Sequence, residues 1–391
     1  MNVNESFGDL LAYPLRSGLT IPASNRGSGI KMLNMGELFR YPRVPAIEMA
    51  RVEISEYDSE RTLLRRHDLL FARRSLTLEG AGKCSIVDEV DEPTTWEGSI
   101  LRARLDPAIA HAPYYYYYFA SPQGRRNIET IVEQVAAAGI RGSDLKKLKV
   151  PLPGLPEQHA VADVLGALDD KIAANTSLIE VADDLAASLT RQALDVSSRV
   201  ALSTIADIVM GSSPSGTSFN EKGEGTVFYQ GIRDFGVRFP SNRIWTTAPV
   251  RLAAAGDTLL SVRAPVGRVN LATEKTCIGR GLASIRSSDE RPFTLFHLLK
   301  DSDEAWAPFE AEGTVFGSIN KGQLASLRVP GLRPEFEGTL EDALRPIEQT
   351  IASVLGENDN LSATRDALLP QLMSGKLRVK DAEKVLEAAG V

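Results

Sequence analysis

The sequence is poor in cysteine: Cys84 and Cys277 are the only two among 391 residues, and neither lies in a paired motif. This argues against a cysteine-based metal site and fits a reducing cytoplasm. No apolar run reaches the length that a membrane-spanning helix needs. The first ten residues, MNVNESFGDL, lack the basic and apolar blocks of a signal peptide. We therefore expect a cytoplasmic protein that does not bind membranes.

Motifs for nucleotide binding and catalysis are also lacking. Lys83 follows Gly82, but the earlier glycine of a phosphate-binding loop would fall at Thr77. The stretch GSGIKM at 27–32 lacks the third glycine of a dinucleotide fingerprint, and HAPYY at 111–115 lacks the second proline of an Asp/Asn-Pro-Pro-Tyr methyltransferase loop. The four histidines are scattered through the sequence without metal-ligand spacing: His67, His111, His159 and His297. We expect a binding protein with no catalytic residue, metal or cofactor of its own.

What the sequence does contain is a duplication. Its length and its 43% hydrophobic content predict two or more globular domains. IRGSDLKKLKVP at 140–151 aligns without a gap with INKGQLASLRVP at 319–330, and a helical pattern follows each block. HDLLFARRS at 67–75 resembles GDTLLSVRA at 256–264. A period this long is too long for a solenoid and predicts a duplicated module of a globular domain and a helix.

Each globular part predicts a mixed α/β fold. Strand-like runs bounded by Gly, Pro and Ser are IKML, LLFA, TVFY, DTLLSV and ASIRS. Apolar spacing predicts a helix over 126–139, closed by Gly139. The five consecutive tyrosines at 114–118 favour a helix or strand of the core with some hydroxyls exposed. Base stacking by one or two of these rings is the less favoured alternative.

Two segments carry the narrow apolar seam of a coiled coil. Steps of four and three residues give Leu168, Ile172, Asn175, Ile179, Ala182, Ala186, Leu189 and Ala193 in the first segment. In the second they give Ile347, Ile351, Val354, Asn358, Leu361, Arg365, Leu368 and Leu372. Neither helix buries such a seam alone, so each needs a partner helix. Asn175 and Asn358 either fix the register or lie in solvent, and Pro346 and Pro370 predict the first turn and an interruption of the second helix.

Charge is divided unevenly along the chain, whose formal net charge is −7. Residues 156–195 carry eight acidic and two basic side chains, and residues 331–391 carry eleven and seven. These helical segments are therefore acidic, which leaves a net charge of +3 for the globular parts. Arginines are concentrated in the globular parts, which predicts a phosphate-binding face in each, with a solvated surface as the alternative.

Four stretches resemble the specificity subunit of type I restriction–modification systems. They are LKKLKVPLPGLPEQHAVADVLGALDDKI (145–172), GDTLLSVRAPVGRVNLA (256–272), CIGRGLASIR (277–286) and ATRDALLPQLMSGKLRV (363–379). Their order and duplication extend the resemblance over essentially the whole chain. One departure is that PGLRPEFEGTLEDAL in the second copy lacks the Glu-Gln pair of PLPGLPEQHAVADVL in the first.

The resemblance implies an α/β chain with two similar mixed α/β target recognition domains. They are separated by two long helices that pair as an antiparallel coiled coil around a pseudo-twofold axis. The expected recognition domains are 1–150 and 199–330, and the expected helical spacers are 151–198 and 331–391. The expected spacer contacts are Leu168, Ile172, Ile179, Leu189, Ile347, Ile351, Leu361 and Leu368.

The resemblance also implies partners. Each domain would read one half of a split double-stranded DNA target, and the chain would bind two modification subunits that methylate adenines with S-adenosylmethionine. Restriction subunits that use ATP and Mg could join them. The seam of 26 residues at 168–193 spans roughly 39 Å at about 1.5 Å per residue, close to the ~34–36 Å of one DNA turn.

Matched basic residues in the two copies are candidate DNA contacts. Arg74 and Arg263 both follow a predicted strand, although either could instead pair with the matched carboxylates Asp68 and Asp257. Lys83 and Arg268 each follow a matched glycine, and we expect them to contact phosphates, since loop charges position more often than they specify. The full set of candidates is Arg73, Arg74, Lys83, Arg233, Arg263 and Arg268.

Two other classes of function remain open. One is a coiled-coil scaffold that joins two modules which do not bind DNA. The other is an enzyme whose catalytic residues are not recognised from the sequence. Turnover by the purified chain alone would favour the enzyme, and absence of DNA retention with partner subunits would favour the scaffold.

Overall fold

The structure, a computed structural model, describes residues 3–134, 138–309, 317–388 and 390–391. Its backbone contacts divide the chain into two units. The first unit comprises Met1–Ala174 with Asn358–Val391, and the second comprises Asn175–Glu357. Each unit contains a globular part of strands and short helices, together with one half of each of two long helices.

Short strands and helices follow one another in the globular part of the first unit. The strands are β1 Val3–Ser6, β2 Leu11–Ser17, β3 Arg26–Leu33, β4 Arg43–Val44, β5 Ala50–Val52, β6 Leu69–Ala72, β7 Arg74–Ser75, β8 Cys84–Val87, β9 Thr94–Trp96, β10 Ile100–Leu105, β11 Glu133–Gln134, β12 Ala138–Gly139 and β13 Lys149–Leu152. The helices are α1 Met35–Arg40, α2 Glu56–Ser59, α3 Ala112–Ala120, α4 Pro122–Glu129, α5 Gly142–Lys147 and the long helix α6 Leu155–Ala193. The main sheets have the strand orders β2-β10-β6-β8-β4 and β5-β3-β9.

The central strand β6 of the five-stranded sheet in the first unit is buried on both faces. Alternate residues of a strand point to opposite faces, and all four residues of β6 are buried. Leu69 and Phe71 pack in one core with α3, whereas Leu70 and Ala72 pack in a second core with Trp96 of β9. Burial on both faces explains why the sequence shows an uninterrupted apolar run here instead of an alternating one.

The tyrosine run forms α3, which confirms the predicted core element. All five tyrosine side chains are buried. The hydroxyl of Tyr115 donates to the carbonyl of Pro151 (3.0 Å), and the hydroxyl of Tyr117 donates to Asp169 of α6 (2.7 Å). Rings buried in the core leave no face for base stacking, so the less favoured alternative is wrong.

The helix predicted over 126–139 is wrong. Helix α4 ends at Glu129, and β12 pairs with both β11 and β7, while residues 135–137 of the predicted helix lie outside the described residues. Gly139 faces Arg74 in this sheet instead of closing a helix. The pairing with a strand far away in sequence satisfies this backbone and overrides the local helical spacing.

The globular part of the second unit is built in the same way. Its strands are β14 Leu194–Ala201, β15 Ala206–Met210, β16 Phe219–Asn220, β17 Thr226–Tyr229, β18 Trp245–Thr246, β19 Leu252–Ala253, β20 Thr258–Ser261, β21 Val269–Leu271, β22 Thr276–Ile278, β23 Leu282–Ser287 and β24 Arg328–Leu332. Its short helices are α7 Leu202–Ile205, α8 Pro292–Lys300, α9 Asp303–Trp306 and α10 Lys321–Ser326. The long helix α11 Leu340–Met373 follows in the chain, and then α12 Val379–Ala388, which belongs to the first unit. The sheet orders are β15-β23-β20-β21 and β16-β18-β17-β22-β19. The five strands predicted from apolar runs are all present.

The predicted duplication is confirmed by matching backbone hydrogen bonds in the two units. The N–H of Gly18 donates to Ile100 at the start of β10 (3.2 Å), and the N–H of Gly211 donates to Leu282 at the start of β23 (2.9 Å). The N–H of Ile140 donates to the carbonyl of Arg73 (3.0 Å). The matching bond in the second unit joins Ile319 to Val262 (3.1 Å). The two globular parts therefore share one strand register as well as a sequence pattern.

The two long helices pack antiparallel within each unit. In the first unit, Arg365 of α11 donates to Asp169 of α6 (2.8 Å). In the second unit, the side-chain amide of Asn175 donates to Glu357 (2.8 Å), and Ala193 shares a core with residues at the start of α11. Later residues of α6 therefore meet earlier residues of α11, as an antiparallel pair requires.

The predicted seam residues are buried or half-buried in these helix pairs. Leu168 and Ile351 are both 0% exposed. Asn175 is also buried, so a solvated position is wrong for this residue, and its amide is held by Glu357. Among the other predicted spacer contacts, the buried ones are Ile179, Leu361 and Leu368, and the half-buried ones are Ile172, Leu189 and Ile347.

Both predictions from the prolines of the second helix are wrong. Helix α11 begins at Leu340, before Pro346, and continues past Pro370 to Met373. Both prolines are exposed. A carbonyl that loses its helical partner on the solvent side can bond to water, so a helix tolerates a proline there better than in a buried position.

One side chain of each long helix anchors the first turn of a helix in the globular part. Gln158 of α6 accepts a hydrogen bond from the backbone N–H of His111, directly before α3 (2.7 Å). In the second unit, Glu341 of α11 accepts from the backbone N–H of Thr294 in the first turn of α8 (2.8 Å). The second copy lacks the Glu-Gln pair, and Glu341 of α11 therefore takes the place of Gln158. Helix α11 begins later in its copy than α6 does in the first.

Candidate nucleic-acid interface

The predicted basic residues of the first unit lie around the end of β6. Arg73 is half-buried and Arg74 is exposed at the start of β7. Gly82 has a positive φ of 70°, and a Cβ added there would lie 2.4 Å from Ile128, so this turn requires glycine. The turn presents Lys83, whose amine donates to the carbonyl of Phe39 (3.0 Å).

Lys83 lines a groove of mixed charge. The groove has a volume of about 460 Å³ and is lined by basic Arg125 and Arg365 and by acidic Glu79 and Asp366. The amine of Lys83 is half-buried beside these groups and has one hydrogen bond to a carbonyl. It retains two donors, but nearby carboxylates offset part of its charge.

The matching turn of the second unit is more open and more basic. Gly267 has a φ of 90°, and a Cβ added there would lie 2.3 Å from the ring of Trp306. Arg263 and Arg268 are both exposed. Arg268 lines a groove of about 570 Å³ with Lys300, Asp303 and Ile232, the residue before exposed Arg233. Arg268 thus lines the groove directly, whereas Arg233 follows a lining residue in the sequence.

The matched carboxylates Asp68 and Asp257 do not pair with Arg74 and Arg263. Asp68 is fully buried and accepts two hydrogen bonds from Arg104 of β10, both 2.7 Å long. Asp257 accepts from Arg286 of β23 at 2.7 and 3.0 Å. Among the described residues, no carboxylate lies within 4.0 Å of a basic group of Arg74 or Arg263.

The Asp257 carboxylate is charged and held in place. Burial raises its pKa, but hydrogen bonds from Arg286 and Ser284 outweigh this effect and keep the pKa below its ordinary value. The arrangement recurs at Asp68 and Arg104, so this ion pair is part of the framework shared by both copies. Both of its arginines are engaged by a carboxylate, with 16% of the Arg104 side chain and 56% of the Arg286 side chain exposed, so they do not replace the predicted candidates.

Sequence reasoning missed a group of arginines on the first five-stranded sheet. Arg102 and Arg104 lie two residues apart on β10 and therefore on one face. Arg16 of β2 lies directly opposite Arg102. The alternating pattern in LRARL at 101–105 was a usable signal for two arginines on one face, but their neighbours depend on strand pairing that the sequence does not show.

Three of the four histidines, scattered in the sequence, are together in the first unit. The rings of His111 and His159 have centroids 3.8 Å apart, and those of His67 and His111 are 6.3 Å apart. Burial, together with the positive charges that His159 and His67 can carry, lowers the pKa of His111 to about 4. Among the described residues, no group of three or more His, Cys, Asp or Glu side chains is arranged to hold a metal ion.

Comparison with known proteins places these features in a family. A family model described as the type I restriction modification DNA specificity domain matches residues 29–182. A Methanocaldococcus jannaschii protein named as the type I restriction enzyme MjaX specificity subunit is 28% identical over 395 residues, covering 94% of this chain and 91% of that protein. The EcoKI specificity subunit of Escherichia coli K12 is 30% identical over 149 residues, covering 38% of this chain and 32% of that protein.

The fold agrees with these matches. The crystal structure of a type I restriction–modification S subunit from M. genitalium covers 95% of both chains, with a TM-score of 0.62 and 16% sequence identity. Over most of its length the chain is similar to specificity subunits of type I restriction–modification systems. The matched family model is that of a DNA specificity domain, which supports a role of the chain in DNA recognition.

In this chain, matched carboxylates join each long helix to a globular part. Asp169 of α6 accepts from Tyr117 of α3 (2.7 Å). At the matching position of α11, Glu348 lies 2.7 Å from the ring nitrogen Nε2 of His297 in α8 and 3.2 Å from Nε of Arg238. Each globular part is thus fixed to its long helix at one repeated point.

The described part of the chain contains no candidate membrane span. None of its helices combines the length and the apolar character that crossing a membrane needs.

Proposed function

We propose that this chain is a type I specificity subunit that reads a bipartite duplex DNA target, one half through residues 1–150 and the other through residues 199–330. The observation that carries the proposal is that both parts share one hydrogen-bond register with an exposed arginine at the same point of it. These arginines are Arg74 and Arg263, and in each part a glycine turn with a basic residue follows. Two copies of one surface suit two half-sites better than one continuous target.

Within each domain we assign DNA contacts to the matched basic residues. Arg74 and Arg263 are exposed and without a carboxylate partner among the described residues, so their charge is available to DNA. Arg268 lines an open groove, which suits a run of phosphates, and Arg233 is exposed directly after the lining residue Ile232. Lys83 and Arg73 are half-buried and would contribute at the edge of the first surface.

The two helical segments, 151–198 and 331–391, serve in this proposal as the spacer and as the docking site for modification subunits. Both segments are acidic, so they repel DNA, whereas the globular parts carry net positive charge. Apolar side chains at helical spacing, Leu178, Val181 and Leu185, are exposed on α6 and suit contact with a protein partner.

The assembly that we propose contains two modification subunits for each specificity subunit, one for each copy of the module, and restriction subunits where the system has them. S-adenosylmethionine, ATP and Mg would be used by these partners. The chain itself would bind DNA and position the partners in the cytoplasm.

The test is a selection of bound duplexes from a pool of random sequence, made with the chain and its modification subunit. The expected result is enrichment of two short sequence blocks separated by a gap of fixed length and no base preference. Enrichment of a single continuous block would contradict the bipartite assignment. Absence of any DNA retention would favour the scaffold alternative, and turnover of a substrate by the chain alone would favour an enzyme.

A further inference from the structure

The first unit carries four arginines around one carboxylate. Arg104 donates to both oxygens of Asp68, and the backbone N–H of Arg65 donates to the same carboxylate (2.8 Å). Arg102 lies on the same face of β10 as Arg104, and Arg16 of β2 lies directly opposite Arg102. Since Asp68 is engaged by Arg104, the other three guanidinium groups are not neutralised by it.

This arrangement works against folding. Like charges directly opposite each other on neighbouring strands destabilise a sheet. Among the described residues, no carboxylate lies within 4.0 Å of the guanidinium groups of Arg16, Arg65 or Arg102. Burial, and the positive charges of Arg104, Arg16 and Arg65, lower the pKa of Arg102, and Asp68 offsets only part of this. An uncompensated group of cations needs an anion from outside the chain.

The buried side chain of Arg102 provides independent support for an anion that binds from outside the chain. Its side chain is only 4% exposed, and its Nε and Nη1 atoms have no hydrogen-bond partner among the described residues. Its guanidinium carbon lies 5.6 Å from the centroid of the Trp96 ring, so an aromatic surface holds it on one side. Buried donors without partners are rare in folded proteins because they lose their water without a replacement bond.

The second unit supplies an internal comparison. The framework ion pair is the same, with Asp257 and Arg286 in place of Asp68 and Arg104. The position that matches Arg102 is Ser284, which donates to Asp257 (2.6 Å). The other two arginines are matched by apolar residues. Val209 matches Arg16, because it pairs with Ser284 as Arg16 pairs with Arg102. Ala254 matches Arg65, because its N–H donates to Asp257 as that of Arg65 donates to Asp68. The shared framework therefore does not need the three additional charges.

We propose that Arg16, Arg65 and Arg102 form a phosphate-binding cluster that holds the DNA backbone at the half-site read by the first domain. Guanidinium groups match the oxygens of a phosphodiester in geometry and charge. The proposal rests on the proposed function and deepens it, because it makes the two half-sites unequal. In the first domain, the positive charges of this cluster bind the phosphates of the half-site, whereas the second domain has no such cluster at the matching position.

The second unit also provides substitutions that the fold tolerates. Arg102→Ser and Arg16→Val introduce the residues of the matching positions, and Arg65→Ala does the same. Each removes one uncompensated charge, so the thermal midpoint should stay equal or rise. Arg141→Ala is the matched control, because Arg141 is an exposed arginine in the globular part of the first unit that lies outside the cluster and is paired with Glu133.

The experiment measures DNA affinity at several salt concentrations, with the full chain and its modification subunit. Each cluster variant should weaken binding to every duplex that spans both half-sites, whatever its base sequence, and reduce the slope of log affinity against log salt by about 1, and the triple variant by about 2–3. On short duplexes that carry one half-site each, the loss should be confined to the half-site of the first domain. The control should behave as wild type.

Three results would overturn the proposal. One is a triple variant whose affinity and salt slope equal those of wild type. Another is a change of base preference at one position with an unchanged salt slope, which would mean that the cluster reads a base. A third is an equal loss on both half-sites. Failure of the proposed function itself looks different, because the wild-type assembly would then retain no duplex at any salt concentration.

Discussion

The helix pair of the second unit allows a sharp prediction about stability. Ile351 on α11 is 0% exposed and belongs to the seam predicted from the sequence. Truncating it to alanine removes buried methyl groups and leaves a cavity, which should cost about 2–5 kcal/mol, whereas Ile351→Val should cost about 0.5–1.5 kcal/mol. Leu178 on α6 of the same unit is 46% exposed, and Leu178→Ala should change stability by no more than about 0.5 kcal/mol.

Urea unfolding followed by circular dichroism is the assay for this series. At a slope of about 2 kcal/mol per M, the expected loss for Ile351→Ala lowers the midpoint of the affected transition by about 1–2.5 M. The urea midpoint should be highest for Leu178→Ala, lower for Ile351→Val and lowest for Ile351→Ala. If Ile351→Ala is no more destabilising than Leu178→Ala, then Ile351 does not lie in a packed seam and the helix pairing is refuted.

Three further predictions concern the domains. Arg263→Ala should either weaken binding to all duplexes and lower the salt slope by about 1, or relax one base position of one half-site at a cost of roughly 1–3 kcal/mol; no change in affinity, slope or methylation pattern would refute its assignment. Deleting residues 199–330 should leave a half-subunit that still binds its modification subunit in pull-down assays. Arg199 and Pro330 are paired on β14 and β24, so the cut ends lie close together. A deletion variant that folds but binds no partner would contradict this prediction. The pKa of His111 is lowered in the folded state to about 4, so the unfolded state binds more protons below pH ~6.5 and stability should fall as pH drops from about 6.5 towards 4. His111→Asn should lose less of its thermal midpoint between pH 7 and pH 5 than wild type, and an equal loss would contradict the sign.

Features with a short repeat in the sequence were predictable. The seam of Leu168 and Ile351 follows the spacing of a helix pair, and the buried run at 69–72 follows from strand length and apolar content. The duplication was also visible, since the blocks at 140–151 and 319–330 keep both their spacing and their exit into a helix. These signals are local, so one sequence suffices to detect them.

Features that depend on pairing between distant segments were not predictable. The segment at 126–139 has helical spacing, yet part of it pairs with β7. Arg16 and Arg102 are far apart in sequence and become neighbours only through the register of β2 and β10. The contact between His111 and His159 likewise depends on where α6 packs. Local propensity is a weak guide wherever tertiary contacts decide the outcome.

The starting point of α11 shows a related limit. Pro346 is typical of a first helical turn, but α11 begins at Leu340. Glu341 fixes the earlier start by accepting a hydrogen bond from the backbone of Thr294 on α8. A sequence pattern places a proline where it is tolerated, whereas the tertiary contact determines where the helix begins.

The most direct test of the central claim is a map of methylated adenines in genomic DNA exposed to this chain and its modification subunit with S-adenosylmethionine. The account predicts methylation within a bipartite sequence whose two specific blocks are separated by a gap of constant length, and none when the chain is omitted. Methylation at a continuous site, or an unchanged pattern without the chain, would contradict the claim that two duplicated domains each read half of the target.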